Sequence, residues 1–548
     1  MAQTETARDF WLWCILLVWV GVGAEWRLLV LARRRSGENF TLSTDPNACV
    51  PVYELQRGRS SGLVAAEAEV AAGDEAPRTG PKSKILIYSH SLPPWVDGVS
   101  TRFASHIDLL KRDGHDVHLL TIEKDLDATV KANSASVSTM TSTAFYWCVR
   151  ASSPPPFPLP AATPANSHFA APTRYPAKQF PEMTPRNLYR VWKACRESKP
   201  DVIHATMCPS ACMLYICSCL LEIPMLMSIH TDSVTLLNKC NQPWWVVAIP
   251  KLFEPLASWV VDATYTVSPS YASILTQRGI TALQGLTWGG FPKPVFNLSH
   301  REDRSTMESI RQRLSFGHAD QFIMAFAGRI SPEKDIDFLL TLLSHFKDRG
   351  VWLVLVGSGP ANDTYSKLHG EEHHLHFVPG FINHEELALL YSAVDCVTSA
   401  STFETFGFTA LEAMACGTPV LVPRAQGFRD VVAHNKGGYL FDAKDLSSAS
   451  HYLELLLSQK AELFPPEGVF EATAAFTPEN CFRRTLAAYD CAKANRRESG
   501  SNLVSRTLIR MLRLFSALVV ILTMFPVYVL NFCAMTYGAC VAKSGKTA

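Results

Sequence analysis

The stretch FETFGFTALEAMACGTPVLV, residues 403–422, follows an apolar strand-like run, passes a glycine, enters a helical period and leaves it at a second glycine for another apolar run. A strand, a glycine loop and a helix start form a platform for ligands, because the first amides of a helix have no partner inside it and point outward. Glu404 stands at the mouth of the loop, where its carboxylate can accept hydrogen bonds from ligand hydroxyls. Glu412 lies two turns further along the helix, within reach of a second part of the same ligand. Spacing alone leaves the choice open, since an ordinary surface helix produces the same pattern.

Short apolar runs alternating with amphipathic stretches continue on both sides, which is the mark of parallel sheets flanked by helices. Strands are predicted at Lys84–Ser89, Asp116–Thr121, Asp201–Ala205, Met225–Ile229 and Ala263–Val267, with a helix around Thr101–Asp113. After a polar break at Phe296–Asp320 the alternation restarts with Phe322–Gly328, Val351–Gly357, His376–Pro379, Asp395–Ser399 and Pro419–Val422. The expected class is α/β, with two Rossmann-like doubly wound domains, 83–300 and 301–477, facing across a cleft where ligands of such sheets bind. A helical period at 478–500 is expected to cross back onto the first domain. A proline-rich tract at 151–185 interrupts that domain as a surface insertion.

Both ends are hydrophobic. Leu514 to Ala542 carry no charge, which is longer than the ~20 residues a helix needs to cross a bilayer, so residues 510–542 are expected to be a transmembrane anchor. A shorter apolar run in residues 1–35 reads as a signal anchor, joined to the first domain by a flexible stem at 36–82. Arg33, Arg34 and Arg35 follow the first anchor, and Arg506, Arg510 and Arg513 precede the second. The positive-inside rule then turns the intervening domains toward the cytosol or a plastid stroma. With 51 Lys and Arg against 50 Asp and Glu, the net charge of +1 offers no field for nucleic acid, so any phosphate must be recognised locally. The 15 cysteines include Cys208, Cys212, Cys217 and Cys219 in one apolar stretch without the pairing of a zinc site, and they read as reduced, buried thiols.

Three further segments carry chemistry-bearing residues. FAGRISPEKD, residues 326–335, places Arg329 and Lys334 after a strand; PPWVDGVSTRF, residues 93–103, places Gly98 and Arg102 after the first strand; SIHTD, residues 228–232, ends a strand with His230 and Asp232. Together with 403–422 these resemble the retaining GT-B glycosyltransferases that carry two glutamates separated by seven residues. The appearance is nearest to the sulfoquinovosyltransferases of sulfolipid synthesis and to related lipid α-mannosyltransferases.

The resemblance implies a nucleotide-sugar donor, UDP- or GDP-linked, no further cofactor, and a lipid acceptor such as diacylglycerol at a membrane surface. The sugar implied is a hexose, with sulfoquinovose the one the sulfolipid branch uses. It assigns donor binding to Glu404, Thr405, Phe406, Gly407, Phe408, Thr409 and Glu412, with Arg329 and Lys334 clamping the diphosphate and Gly98 admitting it. His230, Glu404, Arg329 and Lys334 are then the catalytic group, and Gly98, Arg102, His230 and Asp232 face the acceptor. The triplets Asp125-Leu126-Asp127 and Asp335-Ile336-Asp337 fit a metal site poorly, so no metal is expected. Gly98-Val99-Ser100-Thr101-Arg102 is nearer the mannosyltransferase form of its loop, which keeps an α-mannosyltransferase on a phospholipid or glycan, or an inactive scaffold, as alternatives.

Overall fold

A computed structural model describes residues 82–498, apart from 90–91, 93–97, 123–135, 141, 145–178, 182–184, 240–241, 243, 281–282, 287–294 and 381. Both expected anchors, the stem up to residue 81, nearly all of the proline-rich tract, and Asp125 and Asp127 lie outside the described residues. Among those described, no helix is long and apolar enough to cross a membrane.

The first sheet contains strands β1 (Lys84–Tyr88), β2 (Asp116–Ile122) and β3 (Ser136–Met140), then, after the small antiparallel ribbon β4 (Ser142–Ala144) and β5 (Gln179–Pro181), β6 (Val202–Thr206), β7 (Met225–Ile229), β8 (Ala263–Thr266) and β9 (Leu283–Leu286). Its order is β3-β2-β1-β6-β7-β8-β9, parallel throughout. The second sheet contains β10 (Phe322–Ala327), β11 (Val351–Gly357), β12 (Leu375–Pro379), β13 (Cys396–Thr398), β14 (Val420–Pro423) and β15 (Gly438–Phe441), ordered β12-β11-β10-β13-β14-β15 and also parallel. Each order reverses once, between β1 and β6 and between β10 and β13. Loops diverge at such a reversal and leave a crevice at the carboxyl ends of the strands.

The predicted strands fall where the apolar runs are, because helices cover both faces of a parallel sheet and its strands need no polar side. Val351–Val356 is buried at every position, and Trp352 is almost fully enclosed. The strands without a sequence signal are β3, β4, β5, β9 and β15, short edge or near-edge pieces such as SVSTM and LQGL whose Ser, Thr, Gln and Gly break the apolar run.

Helix Pro478–Glu498 returns to the first sheet and packs on helix Gly98–Arg112 and on β6, β7 and β8. Ala488, Tyr489 and Ala492 from it join Ile85, Ile87, Phe103, Ile107 and Leu226 in one buried cluster. Ile229, Val267, Tyr271 and Leu275, which follow or end strands of the first sheet, belong instead to the cluster that fills the second. The two sheets therefore share continuous apolar packing.

Candidate functional site

The reversal between β10 and β13 explains why residues 70 positions apart in sequence meet. β10 runs into the loop carrying Arg329 and Lys334, β13 runs into the loop carrying Glu404, and the two strands are paired neighbours. Lys334 and Glu404 form an ion pair through Nζ and Oε1, both side chains about one-fifth exposed. Arg329 lies beside Glu333, Nη1 to Oε1 3.5 Å, and is more open. Asp335 starts helix Ile336–Ser344 in the left-handed region at φ 54°, and the Asp337 carboxylate accepts a hydrogen bond from the Tyr365 hydroxyl at 2.9 Å.

The 403–407 loop is fixed by backbone. The Gly427 amide donates to the Glu404 carbonyl at 2.7 Å. Gly407 turns the chain into helix Phe408–Ala415 at φ 95°, and a Cβ there would lie 2.8 Å from the Phe428 ring, so both conformation and space demand glycine. No side chain caps that helix. Phe406 is buried, edge-on to Phe408 and Phe476; Phe408 and Thr409 are half-buried. Glu412 is 5% exposed, and burial pushes its carboxyl up to about 8. Such a group is protonated at neutral pH until a ligand hydroxyl or a cation compensates its charge.

From the first sheet, His230 stands just beyond β7. Arg102 Nη1 approaches its Nδ1 at 3.3 Å. A guanidinium only donates, so Nδ1 must accept, the ring is neutral, and its proton sits on Nε2, facing the Ser228 hydroxyl at 2.8 Å. Both ring nitrogens are thus engaged, Nδ1 by Arg102 and Nε2 by Ser228. What His230 offers the loop is its carbonyl, which accepts from Thr405 Oγ1 at 2.7 Å. Arg102 is likewise buried behind the site at 4% exposure rather than presented to an acceptor. Asp232 is fully buried and committed to Arg278 through both oxygens, at 2.5 and 3.0 Å, and to the Thr235 amide at 2.9 Å. That accounts for the carboxylate without an acceptor.

Further contacts join the halves. Ser268 Oγ donates to the Thr405 carbonyl at 2.7 Å, and Ser270 donates through its amide and its hydroxyl to the Asp430 carboxylate at 2.8 Å each. Gly98 sits against Phe408, whose ring carbon would be 3.3 Å from a Cβ at that position. Lys239, at the end of helix Ser233–Lys239, reaches Thr402 Oγ1 at 3.2 Å and lies over the Phe403 ring at 5.6 Å. Sequence reading did not find Lys239, Ser268, Ser270 or Asp430, because each acts across the two sheets and no local spacing announces it.

Residues 97–284 match the family described as Glycosyl transferase 4-like domain, and residues 308–464 match Glycosyl transferases group 1. The sulfoquinovosyl transferase SQD2 of Arabidopsis thaliana is 27% identical over 269 residues, 48% of this chain and 51% of that protein. A D-inositol 3-phosphate glycosyltransferase of Mycolicibacterium smegmatis is 33% identical over 187 residues, 32% of this chain and 42% of that protein. The chain thus spans about half the length of the curated relatives it matches. Among solved structures, Anabaena HepE in complex with UDP shares the fold at a TM-score of 0.55 and 17% identity, covering 74% of this chain and 99% of that one. With both families matched in order and the loops of the second meeting at its sheet reversal, the chain belongs to the group 1 glycosyltransferases, with the GT-B fold.

Proposed function

We propose that this protein transfers a hexose from a UDP- or GDP-sugar to a lipid acceptor such as diacylglycerol, with retention at the anomeric carbon and without a metal. It does so at a membrane surface, with the catalytic domains on the cytosolic or stromal side. The observation that carries the reading is the meeting of Lys334 and Glu404 at the reversal of the second sheet, with Glu404 in the loop that leads into a helix without a side-chain cap. Negative charge grows on the diphosphate as the glycosidic bond breaks, and a fixed cation beside it stabilises that state more than the ground state. The Lys334 ammonium has three hydrogens, so it can keep Glu404 and still donate to a phosphate oxygen. Arg329, more exposed, supplies a second charge from the same loop.

Glu404 holds hydroxyls of the donor sugar, and Glu412 accepts from the ribose. With Glu404 already paired to a lysine, a covalent intermediate through it is disfavoured. The acceptor hydroxyl attacks the face from which the diphosphate leaves; its oxygen bonds to the anomeric carbon, the carbon–oxygen bond to phosphate breaks, and the proton passes to the departing diphosphate. The name of the Arabidopsis relative supports sulfoquinovose among the sugars. The inositol-phosphate relative favours the second reading, a mannosyl-type transfer to a phosphorylated acceptor.

The test is incubation of the purified full-length protein with a panel of UDP- and GDP-sugars, with and without diacylglycerol and in excess chelator, reading nucleotide release. One sugar is expected to release nucleotide only when lipid is present, and equally in chelator. Release that ignores lipid but responds to a phosphorylated polyol would establish the second reading, and no release with any sugar would leave an inactive scaffold.

A further inference from the structure

Behind the first-sheet half of the site runs a line of buried polar side chains, most of which have no part in the steps of the proposed transfer. From Arg102 and His230 it continues through Ser228 to His204 Nε2 at 2.9 Å, from His204 Nδ1 to the Tyr489 hydroxyl at 2.9 Å, and from that hydroxyl to His106 Nε2 at 2.8 Å. Every member is 9% exposed or less. The line draws on helix Gly98–Arg112, on β6 and β7, and on the C-terminal helix.

Its direction follows from its first member. Arg102 donates, so His230 accepts at Nδ1 and donates from Nε2 to Ser228 Oγ. The single Ser228 proton then goes to His204 Nε2, which leaves the His204 proton on Nδ1, facing Tyr489. Tyr489 accepts it and donates its own proton to His106 Nε2, so His106 is protonated at Nδ1. Reversed bonds beyond Ser228 would aim two N–H groups at its hydroxyl and leave its own proton without an acceptor in a dry interior, where an unsatisfied donor is destabilising.

The forward direction ends on His106 Nδ1. That atom and Arg102 Nη2 are the two in the line with no hydrogen-bond partner. Both residues line one cavity of about 10 Å³ between helix Gly98–Arg112 and Cys481 and Phe482 of the C-terminal helix. That is the space one water needs, and a water accepts two such donors. Burial first, and the Arg102 charge after it, push His106 down to about 3, in keeping with a neutral ring. His204 is also pushed down, by burial first and then by His106 and Arg102.

We propose that Tyr489 is a positioning residue of the site: with the His230 tautomer set by Arg102, Tyr489 holds His204 as one tautomer, and through His204 and Ser228 it keeps the His230 ring in one orientation, beside the carbonyl on which Thr405 of the sugar-binding loop rests. The line tells why a helix from the far end of the chain must seat on the first sheet before that half of the site has its shape. The expected effect on turnover rests on the glycosyl-transfer reading; the tautomers do not.

Ring nitrogen shifts of the full-length protein labelled with ¹⁵N-histidine, assigned with single His→Gln variants at pH 7, test this directly. The expected pattern is a proton on Nε2 of His230 and on Nδ1 of His204 and His106, all neutral. In Tyr489→Phe, His204 should lose its single tautomer, and kcat should fall about tenfold or more, the scale of a misplaced reacting geometry, with the donor KM unchanged. Ser228→Ala, which cuts the line nearer His230, should give the same split without touching the C-terminal helix. A proton on Nδ1 of His230, an imidazolium there, or a Tyr489→Phe enzyme with wild-type kcat would overturn the proposal. Predicted tautomers in a wild-type protein that releases no nucleotide would instead count against glycosyl transfer and leave the line standing.

Discussion

The two halves of the site use polar residues in opposite ways. At the second sheet, the buried Glu412 apart, the polar side chains are charged and reachable: Lys334 and Glu404 are paired at 18% and 23% exposure, and Arg329 is at 36%. At the first sheet Arg102, His204, Ser228, His230 and Asp232 are 9% exposed or less and consumed by one another or by Arg278. On the proposed function, the second-sheet half meets charge that develops in a ligand, and the first-sheet half spends its polar groups on holding a shape. The contrast predicts that losses of charge and losses of shape will appear in different kinetic constants.

The largest effect should come from the charged half. Lys334→Ala and Arg329→Ala should each lower kcat by about 10² to 10³, the scale for removing one preorganised stabiliser of transition-state charge. Lys334→Ala should be the more severe, because it also strands Glu404. Steady-state rates beside direct nucleotide binding, on protein shown to be folded, check this. If both variants turn over and bind nucleotide normally, the diphosphate clamp is elsewhere and the contrast fails.

Glu404→Gln should come next, with a fall in kcat/KM for the donor of about 10- to 100-fold, because the amide keeps the shape but neither anchors Lys334 nor accepts from hydroxyls through two charged oxygens. His230→Ala is its counterpart in the shaped half. It should lower kcat while leaving nucleotide affinity nearly intact, and an equal loss in nucleotide affinity would erase the distinction between the halves.

That distinction also sets what was legible in the sequence. Glu404, Gly407 and Glu412 belong to one continuous strand, loop and helix, and Arg329 and Lys334 to another; periodicity and glycine placement gave the local frame, and the resemblance to a known family singled these residues out within it. The strand order then brought the two segments together. Nothing local could show that Arg102 and Asp232 point inward, because burial of a charged side chain depends on partners elsewhere in the chain, here His230 and Arg278. Tyr489 lies 285 residues from His204, and no spacing rule spans that distance. The edge strands β3, β9 and β15 escaped for a different reason: β3 and β9 are poor in apolar residues, and β15, GYLF, is apolar but only four residues long, so all three are held by their neighbours rather than by a pattern of their own.

Glu412 gives a test by pH rather than by rate. Burial raises its carboxyl from the ordinary value of 4.5 to about 8 in the folded protein. Between those values the folded state holds a proton that the unfolded state has released, so the stability contributed by this group is fully present below about 4.5 and is lost as pH rises toward 8. Glu412→Gln removes this contribution, and its melting temperature should vary less between about pH 5 and 8 than that of the wild type. A saturating donor should flatten the wild-type curve as well if ribose hydroxyls compensate the carboxylate. Equal slopes in variant and wild type would mean that Glu412 is already ionised and its burial offset by another group.

The smallest effect is expected at Lys239, which sharpens the comparison because it comes from the shaped half and yet carries an exposed charge. Its ammonium touches the Thr402 hydroxyl and the Phe403 ring, next to Glu404 in sequence. Burial first and the neighbouring Lys444 second push it below the usual lysine value, while Asp335 and Glu333 oppose them, so it lies within the field of the clamp. An exposed charge is screened, and such contacts are worth about 0.2–1 kcal/mol. Lys239→Ala should therefore lower kcat/KM by no more than about fivefold, with Lys239→Arg retaining most of it. The effect should shrink as salt is raised from low to physiological ionic strength, because the ammonium acts through solvent. A salt-independent loss comparable to that of Lys334→Ala would show Lys239 in direct contact with the reacting diphosphate, and the charge that stabilises departure would then be supplied from both sides of the cleft.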